Sequence, residues 1–164
     1  MFLDFDLDFL RAAVALVDVR LERLNGKADA SSDPDEFGIF DELEYITGFG
    51  FVACQTYATA VTSRSQLKNK KREALALGPK HRMGRSIAQL INAAANYWKH
   101  SAEWSLDAPT IQATRTLEII ASLRVDTNGS YPVANMLYEI LTPQPTRFAN
   151  LIPFLTQWRD VLPR

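Results

Sequence analysis

Residues 33–64 of the chain read DPDEFGIFDELEYITGFGFVACQTYATAVTSR. The stretch opens with Asp33 in an N-cap position, Pro34 in the first helical position and Glu36 in the third, a combination that is typical of a helix start. Apolar residues then recur at spacings of three and four residues over most of the stretch. The pattern predicts one long amphipathic helix that begins at Pro34 or Phe37 and ends near residue 64.

Two glycines, Gly48 and Gly50, lie inside this predicted helix. In a helix interior each glycine costs about 1 kcal/mol relative to alanine. We therefore expect another element to pack closely against this part of the helix, with a kink as the alternative.

The same helical periodicity and the turn signals between the apolar runs divide the rest of the chain into further segments. The first is predicted from about Asp4 to Leu24, with Asn25-Gly26 as its end, although residues 3–9 alternate with period two and leave a strand as the alternative. The later helices are predicted from Met83 to Trp104, from an Asp107 cap to Leu123, from a Ser130 cap to Leu141, and from Thr146 to Leu162 with a break near Pro153.

These segments predict an all-α protein. Its architecture is expected to be an up-and-down bundle of about four long helices plus one or two short C-terminal helices. At 164 residues the chain has the length of one domain, so residues 1–164 are expected to form a single helical domain.

Several features predict a cytoplasmic protein that does not associate with membranes. Cys54 is the only cysteine, which excludes a disulfide within one chain and, in its apolar surroundings, predicts a buried inert thiol. The first eight residues carry three acids and no basic residue, unlike a secretory signal. Residues 45–63 form the longest uncharged run, but they are too rich in small and polar residues for a membrane span.

Charge is segregated along the chain, although the formal net charge is only −1. Residues 1–45 contain 12 acids and 4 bases, whereas residues 64–85 contain 8 bases and 1 acid. Because clustered cations bind nucleic acids through their phosphates, the second segment predicts a nucleic-acid-binding surface. Alternatively, the segment is a solvated helix end and loop, or its positive charges neutralise the acidic helices. The eight predicted phosphate-binding residues are Arg64, Lys68, Lys70, Lys71, Arg72, Lys80, Arg82 and Arg85.

The most distinctive short motif lies in the helix predicted from residue 83. Asn96, Lys99, His100 and Glu103 are spaced three or four residues apart, so their polar groups are expected to share one helix face. Such a row could hold a phosphate or move a proton, since histidine titrates near neutrality and lysine adds positive charge. The alternative is structural: Asn96 and His100 form hydrogen bonds across a helix interface while Trp98 and Trp104 anchor the packing.

The segment Ala95-Asn96-Tyr97-Trp98-Lys99-His100 resembles the motif of the HEPN superfamily, the higher eukaryotes and prokaryotes nucleotide-binding proteins. The motif of that family is an arginine, a polar residue that is often asparagine, three further residues and a histidine. Asn96 and His100 match it at the right spacing, whereas Ala95 stands in the place of the arginine. In the family, the arginine and histidine of two subunits face one cleft and cut RNA without a metal ion.

The resemblance implies a homodimer that binds RNA or a nucleotide and, if it is an enzyme, a metal-independent endoribonuclease of the toxin or defence type. His100, Asn96, Lys99 and Glu103 are then the candidate catalytic residues. We expect no metal and no cofactor, because the Cys54, His81 and His100 side chains have no ligand spacing and no phosphate-binding or dinucleotide-binding glycine motif occurs. The alternative, favoured by Ala95, is a non-catalytic helical protein, such as an antitoxin or an adaptor, that docks a cognate protein partner or a second copy of itself.

Overall fold

A computed structural model of the protein describes residues 4–105 and 108–164. These residues form helices joined by turns, with one isolated bridge between Lys80 and Ser86 and no strand. The prediction of an all-α fold is therefore confirmed. The α-helices are α1 (Phe5–Ala30), α2 (Ile39–Ser63), α3 (Lys71–Ala76), α4 (Ile87–His100), α5 (Ile111–Ala121), α6 (Pro132–Leu141) and α7 (Ile152–Asp160), and short 3-10 turns span Ser101–Glu103 and Phe148–Leu151.

Helix α1 begins where the sequence predicts and ends later. The Asp4 side chain caps it by accepting a hydrogen bond from the Leu7 N–H at 3.1 Å, and the strand alternative for this segment is wrong. The helix continues through Asn25-Gly26 to Ala30, so the predicted stop is also wrong. Leu24 is fully buried and holds this turn against the core, and its packing outweighs the modest helix penalty of one glycine.

Helix α2 begins at Ile39, two to five residues later than predicted. Asp33 does accept a hydrogen bond from the Glu36 N–H at 3.1 Å, but the residues that follow form a turn and not a helix. The turn ends at Gly38, which has a φ of +65°, in the left-handed region. An α-helix cannot pass through this conformation, which glycine adopts without strain, so α2 starts at the next residue.

Helix α4 is shorter than the helix predicted from Met83 to Trp104. Gly84 has a φ of +90°, which keeps the preceding residues out of the helix. Ser86 then forms a capping box with Gln89: its hydroxyl accepts the Gln89 N–H, and the Gln89 side chain accepts the Ser86 N–H. At the other end the last residues tighten into the 3-10 turn before Trp104. The sequence did not predict α3.

Two acidic side chains from the long helices cap the later helices. Glu44 accepts the N–H groups of Val133 and Ala134, each at 2.8 Å, at the start of α6, where Ser130 was the predicted cap. Buried Asp18 accepts the N–H of Phe148 at 2.7 Å and that of Ala149, at the 3-10 turn that leads into α7. These long-range caps complete hydrogen bonds that the helix starts cannot make alone.

The remaining helix starts are local. Thr110 caps α5 by accepting the Ala113 N–H at 3.1 Å, whereas the predicted cap Asp107 lies outside the described residues. Pro153 lies in the first turn of α7, directly after the 3-10 turn. The predicted break near Pro153 is therefore confirmed, because proline is tolerated in a first helical turn and not further inside.

Helix α2 lies at the centre and packs against α1, α4 and α6. It runs antiparallel to α1, since Tyr57 lies beside Asp4 while Glu42 pairs with Arg20. Gly48 lies under the ring of Trp98 and Gly50 under the ring of Phe148, so close that a Cβ atom at either position would overlap the ring. The predicted close packing against the two glycines is confirmed. Within the described residues, no helix is both long and apolar enough to cross a membrane.

Candidate functional site

The centre of the candidate site is a hydrogen-bonded cluster around Gln55, a buried residue of α2 that faces α4. Its Nε2 donates to Asn96 Oδ1 at 2.8 Å and to Asn92 Oδ1 at 3.0 Å. Its Oε1 accepts a hydrogen bond from Lys99 Nζ at 2.7 Å. Two of the predicted site residues, Asn96 and Lys99, are thus brought together, and a glutamine that the sequence analysis did not select connects them.

A second lysine approaches this cluster from the basic segment. Lys71, the first residue of α3, donates to Thr59 Oγ1 of α2 at 3.4 Å. Desolvation and repulsion from the nearby Lys99 ammonium group lower the pKa of Lys71. In the described part of the chain neither lysine forms a salt bridge with a carboxylate. The arrangement leaves two neighbouring positive charges without a bound counter-charge.

Three aromatic rings, two of them exposed, lie at the other end of the same α2–α4 contact. Trp98 packs on Gly48, with the ring of Tyr45 edge-on at 5.7 Å between centroids and the ring of Phe49 at 5.3 Å. Tyr45 is 63% exposed and Phe49 is 55% exposed. On α2 the residues 45, 49, 52, 55 and 59 recur at helical spacing, so the aromatic end and the lysine end lie along one side of the helix.

His100 does not join the Gln55 cluster. It lies at the end of α4, where its Nδ1 is 3.4 Å from Glu103 Oε2, and its side chain is 38% exposed. Glu103 is in the 3-10 turn and is 73% exposed at its side chain. The four predicted catalytic residues therefore form two separate pairs, with Asn96 and Lys99 on Gln55 and His100 on Glu103.

Ala95 occupies the position of the motif arginine in the HEPN-like segment. It is 0% exposed and belongs to the hydrophobic core together with Ile91 of the same helix. A side chain at this position points into packed apolar residues and not toward His100 at the exposed end of α4. The structure therefore has no room for an arginine at this position.

The other predicted nucleic-acid-binding residues are dispersed. Arg64 pairs with Asp6, Lys70 lies 3.5 Å from Glu73, and Arg82 donates to Glu139 at 2.8 Å. The Lys80 ammonium group donates to the carbonyl of Ala76. The basic segment thus contributes only Lys71 to the Gln55 cluster, while Lys68, Arg72 and Arg85 lie elsewhere along it without a salt bridge in the described structure.

His81, the other histidine, has a structural role. It is buried, its Nε2 is 3.0 Å from the Glu139 carbonyl oxygen and its Nδ1 accepts the Met83 N–H. Both ring nitrogens are therefore used by the backbone. Across residues 4–105 and 108–164, no group of three or more His, Cys, Asp or Glu side chains could hold a metal ion.

A cleft of about 640 Å³ lies outside the Gln55 cluster, between the start of α1 and the end of the chain. It is lined by Asp4, Asp6, Arg64 and Arg159, among others. Its charges already neutralise each other, because Arg159 donates to Asp4 at 2.6 Å and Arg64 pairs with Asp6. These four charged side chains are therefore already paired and do not by themselves mark the cleft as a ligand site.

One signal in the sequence points to Gln55, the missed residue at the centre of the cluster. Gln55 is a polar residue on the helix side that carries Gly48 and Phe51, where a buried amide needs partners. Lys71 was predicted only as one of eight basic residues.

Comparison of the chain with family models finds no match, and comparisons with curated proteins and with solved structures find none either.

Proposed function

We propose that this protein binds single-stranded RNA along the side of α2 that faces α4, and that it does not cut the RNA. We call this side the α2–α4 surface and define it by Tyr45, Phe49, Gln55, Lys71, Trp98 and Lys99. The observation that carries the function is the placement of two lysines about one turn apart along α2: Lys99 donates to Gln55, Lys71 donates to Thr59, and neither forms a salt bridge with a carboxylate of the described residues.

The two lysines suit a phosphodiester. A phosphate between Lys71 and Lys99 would replace their mutual repulsion by two attractive contacts, and it would release counterions from the RNA. Gln55 holds the Lys99 ammonium group in place at 2.7 Å, so less side-chain freedom is lost when the phosphate binds.

The aromatic end of the surface suits bases. Exposed Tyr45 and Phe49 pack on the half-buried ring of Trp98, and stacking of a base on an exposed ring contributes about 1–3 kcal/mol in proteins that bind single strands. Unstacked bases are available in single-stranded RNA and not in a duplex. Cations beside aromatic rings therefore favour a single strand over a double helix.

Two observations support binding without cleavage. The core position of Ala95 leaves no arginine beside His100, and His100 contacts Glu103 instead of the two lysines. In these terms the chain is a degenerate relative of the HEPN superfamily that has kept phosphate binding. Within the same proposal the protein acts in the cytoplasm, and its long helices form an up-and-down bundle, which the antiparallel course of α1 and α2 supports.

The test is the binding of a fluorescently labelled 12-nucleotide RNA, followed by anisotropy at several salt concentrations. We expect the double variant Lys71→Ala/Lys99→Ala to bind at least 10-fold more weakly and to show a shallower dependence of log affinity on log salt. The matched control, Lys68→Ala/Lys70→Ala, removes the same charge from exposed positions and should change the affinity less than threefold.

Three results would contradict the function. The first is that the wild-type protein does not bind RNA at low salt. The second is that the control variant loses as much affinity as the test variant, and the third is that Phe49→Ala leaves the affinity unchanged. Incubation with the same RNA tests the second half of the proposal, because the RNA should stay intact. Cleavage that disappears in His100→Ala would show that the protein is a nuclease after all.

A further inference from the structure

The lysine end of the α2–α4 surface carries two positive charges. Lys99 Nζ is 2.7 Å from Gln55 Oε1, and Lys71 Nζ is 3.4 Å from Thr59 Oγ1. Gln55 and Thr59 are four residues apart on α2, so these anchoring partners lie roughly 6 Å apart along the helix axis. Both partners are uncharged, and no carboxylate of the described residues pairs with either lysine. This end of the surface therefore presents two cations to one ligand.

The hydroxyl group of Thr59 is a third donor at this end. Other hydroxyl groups of α2 donate to a backbone carbonyl of the preceding turn, namely those of Thr47, Thr56, Thr62 and Ser63. The Thr59 hydroxyl accepts the hydrogen bond from Lys71 and donates to no acceptor in the described part of the chain. Because Thr59 is exposed, its O–H can turn toward a bound ligand while the oxygen keeps its contact with Lys71.

Helix α3 bridges α2 and α4 at the lysine end. Its first residue, Lys71, contacts Thr59 of α2. Near its other end, the carbonyl of Leu75 accepts a hydrogen bond from the hydroxyl group of Ser86, which caps α4. Leu75 is buried, so the short helix is fixed in this position by packing as well as by the hydrogen bond. The surface is therefore bounded by α3 beyond the two lysines.

The direction of the two long helices places the aromatic rings away from this boundary. Gly48 lies under the ring of Trp98, whereas Gln55 contacts Asn92, so α2 and α4 are antiparallel. The start of α4, where α3 docks, is consequently at the far end of the surface from the rings. A strand whose bases stack on the rings reaches the lysines and then meets α3, an arrangement that favours the end of a strand over one that continues.

A phosphate at the end of an RNA strand has the chemistry that these groups recognise. A terminal phosphomonoester carries a charge of about −1.5 to −2 at neutral pH and three strong acceptor oxygens. A phosphodiester inside the strand carries a single negative charge and has only two non-bridging oxygens. Two ammonium groups and one hydroxyl group match the phosphomonoester in charge and in number of donors, whereas a phosphodiester leaves one positive charge unmatched.

We propose that the lysine end of the α2–α4 surface binds the terminal phosphate of a single-stranded RNA, with Lys71, Lys99 and Thr59 as the donors. The inference rests on the proposed function and names the class of RNA that the surface selects, which is a strand with a phosphorylated end. The phosphate belongs to the 5′ or to the 3′ end, according to the direction in which the strand lies on the surface. An internal phosphodiester binds at the same place more weakly.

The first experiment compares one RNA sequence with a 5′ phosphate, with a 3′ phosphate and with hydroxyl groups at both ends. Each unlabelled form competes with a labelled strand for the wild-type protein, and anisotropy measures the competition. We expect at least one phosphorylated form to bind about 10-fold more tightly than the hydroxyl form, because charge-assisted hydrogen bonds are added. The form that does so identifies the end that the lysines hold. Capping this phosphate as a methyl ester restores the charge of a diester and should remove most of the gain.

The second experiment locates the phosphate with variants. Lys71→Ala and Thr59→Val should each reduce the preference for the phosphorylated strand by about threefold or more, since each removes one donor. The matched control is Thr56→Val, which removes another exposed hydroxyl of α2, one that donates to the Val52 carbonyl. This control should keep the full preference.

The possible failures separate this inference from the proposed function. Equal binding of the phosphorylated and hydroxyl forms would overturn the inference and leave the binding of single-stranded RNA standing. Absence of binding by every form at low salt would overturn both. A preference that persists unchanged in Lys71→Ala and Thr59→Val would place the phosphate elsewhere on the protein and would also overturn the inference.

Discussion

Lys99 of α4 donates a hydrogen bond to the side-chain oxygen of Gln55 of α2 at 2.7 Å. The amide nitrogen of the same glutamine donates to the side chains of Asn92 and Asn96. One buried amide of α2 therefore satisfies three polar side chains of α4, in a contact whose other residues are largely apolar. The relationship both joins the two helices and places the Lys99 charge at the surface.

Replacement of this amide by an apolar group of similar size should destabilise the protein. In Gln55→Leu, three polar groups of α4 lose their partner, and because they are only partly buried they can turn to water. We expect the free energy of unfolding to fall by about 1–2 kcal/mol. Urea denaturation followed by circular dichroism measures the change.

Gln112→Leu provides the control for this substitution. Gln112 is an exposed glutamine of α5, so the same exchange should alter the free energy of unfolding by no more than about 0.5 kcal/mol. Equal effects in the two variants would mean that the Gln55 cluster contributes nothing specific to stability.

The helices were largely predictable because their apolar spacing is local information. The α1 and α4 segments follow from periodicity, and the start of α7 follows from Pro153. The predicted helix boundaries are wrong where long-range contacts or backbone conformation determine them. The left-handed conformation of Gly38 moves the start of α2 to Ile39, and the packing of buried Leu24 lets α1 continue beyond Gly26. Local spacing contains neither kind of information.

The candidate site was predictable only in part. Asn96 and Lys99 share a contact, as their spacing predicts, but the residue that joins them is 41 positions from Asn96 in the sequence. The spacing also placed His100 with them, whereas α4 ends there and the chain tightens into a 3-10 turn. Helical spacing predicts which residues share a face, and it cannot predict which neighbouring helix covers that face.

The ion pair between Asp4 and Arg159 predicts a pH-dependent contribution to stability. Partial burial raises the pKa of Asp4, but hydrogen bonds from Arg159 and from the Leu7 N–H together hold the pKa below its ordinary value. A carboxyl group with a lowered pKa in the folded state stabilises that state above its unfolded pKa of about 3.9. This contribution is lost as the pH falls through the folded pKa.

Asp4→Asn tests this contribution, since asparagine is as good an N-cap as aspartate but carries no charge. The Asp4 and Arg159 side chains are 21% and 26% exposed, so solvent screens the pair only partly. At pH 6 we expect the variant to be less stable than the wild type by up to about 1 kcal/mol. Urea denaturation at pH 6 and at pH 2.5 should show that this difference closes in acid, and a difference independent of pH would exclude the ion pair as its source.

Gly26 of α1 and Gly48 of α2 should respond oppositely to alanine. At Gly48 a Cβ atom would overlap the Trp98 ring, so Gly48→Ala forces the ring or the helices to move and should cost about 1–3 kcal/mol. At Gly26 a Cβ atom meets no other atom within 4 Å, so Gly26→Ala should gain about 1 kcal/mol through helix propensity alone. Thermal unfolding measures both, and tryptophan fluorescence should change only in the Gly48 variant. A destabilised Gly26 variant would contradict the open surroundings of that residue.

The last prediction concerns the position at which the sequence departs from the HEPN motif. Ala95 is 0% exposed in the core, so Ala95→Arg places a charged side chain among apolar groups with no carboxylate from the described residues beside it. Burial of an unpaired charge costs several kcal/mol, and we expect the variant to lose its cooperative unfolding transition. Ala102→Arg introduces the same side chain at an exposed position and should unfold like the wild type. A folded Ala95→Arg protein that cuts RNA, and that loses this activity on His100→Ala, would show instead that the core can open to rebuild a nuclease site. The expected loss of the folded state would mean that the packing of α4 requires a small side chain at position 95. The fold itself would then exclude the arginine of the HEPN motif.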